Sequence, residues 1–468
     1  MKKGLRLNVL YLISILVLTL LTSLWCFNPK SVVKGWEQVP QILSQIKPPE
    51  FPAHDFIITD YGAIGNGKFD CTEAIKLTIA ACQAAGGGRV IIPEGDFLTG
   101  AIHLKNNVNL HLTENAKLLF STDTDKYLPV VHTRYEGVEC LNYSPLIYAY
   151  QQQNLAITGT GKLDGQADSS HWWSWAKMVE PKPQQTNFNY QPDRDILFQM
   201  GEKNIPVKER VFGQDHFLRT NFIQFYECQN ILIEGITIER SPMWVINPVL
   251  CENVTVNKVR VVSHGPNNDG CNPESSKNVL IQGCYFDTGD DCIAIKSGRN
   301  GDGRRINVAS ENIIIQDCIM RDGHGGVVIG SETSGNCRNI FAQNCTMDSP
   351  NLERALRIKT NSLRGGIIEN IYLRNVTIGN VSDAVIRIYF YYGEGDVGPY
   401  TPTVRNIFIE NLTSQSSLYA LFLEGYARSP ITRINLKDCQ FKGVKNKNVI
   451  NHVTGLKMTD VSINEIKQ

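Results

Sequence analysis

A repeat constrains this chain more than any other feature of its sequence. Asn230, Asn253, Asn278, Asn312, Asn339, Asn370, Asn406 and finally Arg433 each open a segment of the type Asn278-Val-Leu-Ile-Gln-Gly-Cys, at intervals of 23 to 36 residues. The first, third, sixth and eighth positions after the opening residue are mostly apolar. Alternation by two marks a strand with one face on a core, and the phase change between the third and sixth positions marks a bend. One such coil cannot bury its own apolar face, so neighbours must stack to complete the core. The expectation is an all-β solenoid of short parallel strands, with the opening Asn side chains able to form a ladder along the stack.

The same alignment assigns several of the thirteen cysteines. Cys284, Cys318, Cys345 and Cys439 fall at the sixth position, where other coils carry Ile236, Val259, Val376 and Leu412. A residue that exchanges with Val and Leu fills space, so these four read as buried free thiols, with disulfides between coils as the alternative. Weaker coils precede the array near Val108 and Asn154. Before them, Asp70-Cys-Thr-Glu73 has the form of a capping box opening a helix to about Ala85, suited to plug the N-terminal end of the solenoid.

The organisation follows from these signals. Lys2, Lys3 and Arg6 precede an apolar run from about Leu7 to Trp25, so residues 1–27 read as a signal peptide or as an uncleaved membrane anchor. Ser23-Leu24-Trp25 makes Cys26 a poor match to a lipoprotein cysteine. Residues 28–50, with Pro29, Pro40, Pro48 and Pro49, read as a linker, and 51–468 as a single solenoid domain with an irregular insertion at 165–219. That insertion, which holds His171-Trp-Trp-Ser-Trp175, is either a packed loop or a wall of a substrate cleft. Lys+Arg and Asp+Glu both number 46. This balance gives no reason to expect nucleic acid as a partner, while a local basic cleft stays compatible with an acidic substrate. The chain is expected to be exported and monomeric.

A second strand lies downstream in each unit: Ile293-Ala-Ile-Lys296, Val327-Val-Ile-Gly330, Leu356-Arg-Ile-Lys359 and Ile386-Arg-Ile-Tyr389. Its second and fourth members face outward, which places Lys296, Arg357, Lys359 and Arg387 on one external surface. Three residues before each strand, Asn268-Asp269 lies beside Asp290-Asp291, then His324-Gly325, then Glu353-Arg354. Adjacent strands sit roughly 4.8 Å apart, so Asp269 and Asp291 are expected side by side. Like charges so close repel and raise at least one pKa. An enzyme has a use for that arrangement, one carboxyl protonating a leaving oxygen while others activate water. Arg357 and Lys359, on the order of 10 Å from Asp290, suit a uronate carboxylate.

At this point the chain resembles the polygalacturonases, family 28 of the glycoside hydrolases, over about residues 51 to 460. Asn267-Asn268-Asp269-Gly270 is similar to the family's Asn-Thr-Asp, and Gly289-Asp290-Asp291-Cys292 to its Gly-Asp-Asp. Gly323-His324-Gly325 matches Gly-His-Gly, and Arg357-Ile358-Lys359 matches Arg-Ile-Lys. The resemblance implies a right-handed parallel β-helix and an inverting hydrolysis of α-1,4-linked galacturonan, with no metal and no cofactor. It makes Asp290 the general acid, Asp269 and Asp291 the bases that activate water, and His324 the support of the acid's protonation. Arg357 and Lys359 become ligands of a substrate carboxylate, and Asn267 and Lys296 further substrate contacts. Asn268 departs from the family's Thr, and Cys271-Asn272-Pro273 stands where Ile-Asp-Pro is common, so an acid near the site is lost. The segments Pro248–Val254 and Ser349–Ala355, with the 165–219 insertion, resemble the exo-acting branch. The rivals are a rhamnogalacturonan or xylogalacturonan hydrolase, a calcium-dependent pectate lyase, and a non-catalytic carbohydrate-binding solenoid.

Overall fold

The computed structural model describes residues 35–176 and 189–468. The chain divides into Met1–Gln38, of which only the 3-10 turn Gly35–Gln38 is described, and Val39–Gln468. The expected leader or anchor lies outside the described residues.

Val39–Gln468 is a right-handed parallel β-helix. Its longest sheet runs through the opening strand of every coil in the predicted register: Ile231 beside Val254, Val254 beside Val279, then Ile313, Ile340, Ile371, Ile407 and Ile434. Ile231, Ile233, Ile236 and Ile238, the four apolar positions of one coil, are all buried. Each such side chain contributes about 1.5–3 kcal/mol when removed from water. At the bend before these strands, Asn107, Asn154, Asn230, Asn253, Asn278, Asn312, Asn339, Asn370 and Asn406 all adopt φ between 55° and 62°. Asn tolerates this left-handed conformation better than other residues with a Cβ. Each amide donates to the Oδ1 of the preceding Asn at 2.9–3.5 Å, so the predicted ladder is continuous over nine coils. Cys284, Cys318, Cys345 and Cys439 are buried free thiols, as are the other cysteines among the described residues.

The second strands form two sheets on another side of the coil. Ile102–His103, Ile147–Tyr150, Ile223–Tyr226 and Ile246–Val249 make the first. Ile293–Ile295, Val327–Ile329, Arg354–Lys359, Ala384–Tyr389, Tyr419–Glu424 and Val449–Asn451 make the second. Among the described residues, only the isolated bridges of Cys271 and Glu274 join them, and the coil so reduced is the one that carries Asp269.

The N-terminal helix spans Thr72–Ala84 and packs Ile75, Ile79 and Cys82 into the core. Its cap differs from the expected box. Asp70 accepts from the Thr72 N–H at 2.9 Å, while Glu73 pairs with Lys76 instead of reaching back. Two further expectations are corrected. The segment read as a linker contains the helix Val39–Gln45, whose Val39 and Ile42 are buried, so ordered structure begins before residue 51. The insertion read as irregular contains the helix Gln191–Glu202, with Pro192 in its first turn and Leu197 buried. A Pro there costs nothing, because that N–H has no helical partner.

Candidate active site

The candidate residues sit in the turns between the long sheet and the second strands. Cys271 bridges Ile293, Ile293 pairs with Val327, and Val327 pairs with Leu356. Counting back from these pairs puts Asp269 beside Asp291, Asp290 beside His324, and His324 beside Glu353, as the sequence register requires. Glycine is dictated in two of the turns by backbone crowding. A Cβ on Gly289 would lie 2.5 Å from Gly265 O, and one on Gly323 would lie 2.5 Å from Asp290 O.

Oxygens of Asp269, Asp290 and Asp291 lie within 4.8 Å of one another. Each carboxylate has its own partners. The Lys296 Nζ lies 3.3 Å from Asp269, over the face of Trp244, and Asn272 donates to Asp269 at 2.7 Å. Asp291 is held by Lys359 at 2.6 Å and by Arg357 at 3.1 Å. Asp290 shares a 3.0 Å hydrogen bond with His324 Nδ1. Burial pushes the Asp269 carboxyl up to about 8, with Asp290 and Asp291 adding to the rise against Lys296. Burial also pushes Asp290 upward, but the His324 hydrogen bond and the Lys359, His324 and Arg357 charges hold it well below the usual carboxylate range. The Asp290 hydrogen bond raises His324 to about 9. The His324–Asp290 pair therefore carries one proton, resting on the imidazole, until the pH reaches about 9.

The outward surface predicted for the cations proves to be a cleft floor. Lys296 and Lys359 are buried, and Arg357 and Lys359 hold Asp291, the neighbour of Asp290. Arg387 pairs with Asp383 at 2.5 Å. Asn267 lines the cavity and accepts from Arg219 at 2.6 Å. Asn268 does not line it. Its side chain accepts from Ser263 Oγ and Gly265 N and donates to Ser241 O and Met243 O, which fixes the turn that presents Asp269. Asn272, where the resembled family has an acid, supplies a donor to Asp269 in place of a further like charge.

These groups open on a cavity of about 620 Å³, within the range of small-ligand sites. Asp269, Asp290, Lys296 and Lys359 line it together with Glu136, Tyr190, Arg194, Arg299, Glu332, Arg364, Tyr392 and Glu394, none of which the repeat singled out. Glu136 comes from the turn of the hairpin Val131–Asn142, and Tyr190 and Arg194 from the insertion, which is thus a cavity wall. Arg299 and Glu332 carried a signal, since they closely follow second strands of adjacent coils, and Lys296 joins them: Glu332 pairs with Lys296 at 3.2 Å and with Arg299 at 3.5 Å. Asp269, Asp290 and Asp291 could together hold a cation, as could His264, Asp287 and Asp322. In the first cluster an ion would compete with Lys296, Arg357 and Lys359.

A β-helix whose outer cleft gathers three carboxylates, a protonated histidine and paired cations has the parts of a carbohydrate-cleaving enzyme. The sequence pattern of glycosyl hydrolases family 28 matches residues 213–463. A crystal structure of a hyperthermoactive exopolygalacturonase from Thermotoga maritima is 45% identical, covers 92% of this chain and 96% of its own, and superposes with a TM-score of 0.89. A probable polygalacturonase of Vitis vinifera is 26% identical over 82% of this chain and 73% of its own length. An exopolygalacturonase of Zea mays is 27% identical over 85% and 86%. The chain belongs to glycosyl hydrolases family 28, and is a hydrolase of glycosidic bonds.

Proposed function

We propose that this enzyme cleaves the α-1,4-galacturonosidic bonds of unesterified galacturonan from a chain end. The observation that carries this reading is the pairing, in one walled cavity, of a three-carboxylate cluster with buried cations that suit a polyuronate. A cavity with walls from the hairpin and the insertion favours a chain end over mid-chain attack.

In this reading Asp290 is the general acid. Its side chain is 15% exposed, against 3% for Asp269 and none for Asp291, so it alone of the three reaches well into the cavity. The proton held on His324 crosses the Nδ1 hydrogen bond to Asp290 as Asp290 protonates the leaving glycosidic oxygen. Asp269 and Asp291 orient one water toward the anomeric carbon, and Asp291 accepts its proton because Asp269 keeps its own below about pH 8; attack from that side inverts the configuration. Lys296 steadies Asp269. Arg357 and Lys359 turn from Asp291 toward a substrate carboxylate as it enters, and Asn267 contacts the sugar. Export through residues 1–27, as a leader or an anchor, and a monomeric state complete the reading.

One observation favours a second stereochemical reading. The carboxylate oxygens lie within 4.8 Å, closer than the roughly 6.5–9.5 Å usual between inverting pairs, and that closeness suits direct attack by a carboxylate with retention.

Product analysis on unesterified polygalacturonate, with chelator present, tests both. Saturated mono- or digalacturonate from the outset is expected, with the β-anomer appearing first by NMR. Unsaturated products would mean lyase chemistry, an early α-anomer would mean retention, and turnover only on rhamno- or xylogalacturonan would change the polymer.

A further inference from the structure

Beyond the three aspartates, a chain of ion pairs runs deeper along the cavity. Asp269 meets Lys296, Lys296 meets Glu332, Glu332 meets Arg299, and Arg299 Nη2 meets Glu394 at 2.9 Å. Glu394 also accepts from Arg364 Nη2 at 3.3 Å and from Asn361 at 2.8 Å. This part of the cavity balances three arginines, Arg194, Arg299 and Arg364, against three glutamates, Glu136, Glu332 and Glu394.

The three glutamates differ in how firmly they are built in. Glu136 and Glu332 are buried, and Glu136 grips Arg194 through both oxygens. The Glu394 side chain is 34% exposed. It stands between Gly393 and Gly395, at φ 62° and 70°, with open space around both. The arginines are the fixed half of the contact. Both are buried, Arg364 is anchored to Asn300 at 2.6 Å, and each has an Nε with no hydrogen-bond partner. Two buried guanidiniums with unused donors, facing one movable carboxylate, form a site for a carboxylate. A buried cation left without its partner is costly, so an empty site of this kind needs an internal anion.

We propose that Arg299 and Arg364 form a subsite for the carboxylate of a uronate residue, and that Glu394 occupies it in the free enzyme until substrate displaces it. The choice of a uronate rests on the galacturonan reading above; the carboxylate class does not. Exchange of one carboxylate for another keeps the arginines paired throughout. It also lowers the affinity of the subsite by the strength of the contact that Glu394 gives up.

The test is calorimetric titration of the full chain with D-galacturonate and with D-galactose, which lacks the carboxylate, for wild type and Glu394→Gln. Wild type is expected to bind galacturonate and to bind galactose at least about tenfold more weakly. Glu394→Gln, which keeps the size of the side chain, should bind galacturonate roughly 1.5-fold to fivefold more tightly, the scale of one partly exposed ion pair. Its KM on trigalacturonate should fall by a similar factor with kcat little changed. Adding Arg364→Lys should erase that gain, whereas adding Arg405→Lys, at an exposed ion pair with Glu369 outside the cavity, should leave it. Unchanged or weaker galacturonate binding by a folded Glu394→Gln would overturn the proposal and make Glu394 a fixed counter-ion. If wild type cleaves no galacturonan while Glu394→Gln still gains affinity for galacturonate, the substrate reading fails and the carboxylate subsite stands.

Discussion

Along the bend that opens each coil, Asn follows Asn; in the turn before the second strand, Asp follows Asp. Both stacks obey the same register and the same spacing, about 4.8 Å. An amide has a donor and an acceptor, so a column of identical residues satisfies itself, as it does from Asn107 to Asn406. A carboxylate only accepts. Asp269 beside Asp291 therefore needs Lys296, Arg357 and Lys359 close by, and one of its members is left with a displaced pKa. A parallel stack multiplies whatever occupies a position, and what it multiplies at the second turn is reactivity at the cost of stability.

Substitutions can break or sharpen that contrast. The largest effect is expected in the acid column. Asp290→Asn should lower kcat by between about 10² and 10⁴-fold, the usual worth of a general acid, with unchanged circular dichroism. In the amide column, Asn312→Ala severs two rungs and places a Cβ-only side chain at φ 57°. It should cost about 2–3 kcal/mol by denaturant unfolding, with activity kept in the folded fraction. Asp269→Asn should do the opposite. Because the folded state lifts Asp269 from 3.8 to about 8, wild type loses stability as pH rises between those values. The variant should be inactive, about as stable as wild type near pH 4, and more stable by on the order of 5 kcal/mol above pH 8. An equal difference at both ends would refute the raised pKa. The smallest change is expected from Cys318→Val, a swap within the space-filling positions of the coil, at under about 1.5 kcal/mol.

The parts of the molecule that repeat were readable and the parts that do not were hidden. Periodicity located the strands, the Asn column and the thiols, since each position is stated again in the next coil. The same register also pairs Asp269 with Asp291 and Asp290 with His324. It placed Lys359 on the correct face but not in its burial, because no strand register reports the loops that cover a face. Glu136, Arg194 and Glu394 come from a hairpin turn, an insertion and a connecting loop. Each of these occurs once, and residues that occur once have no register to betray where they meet. The Gln191–Glu202 helix escaped for a related reason: twelve residues with a weak apolar stripe give little signal inside a polar insertion.

Coil lengths from 23 to 36 residues share one strand register, so the extra chain in the longer coils all leaves from the turns. The strands act as a ruler and the connections as interchangeable jaws. A connection such as the one bearing Glu394 could be shortened, lengthened or exchanged while Asp269, Asp290 and Asp291 kept their separations. Product length and bond-breaking chemistry are thereby placed on different pieces of the chain, and the first can be redesigned without touching the second.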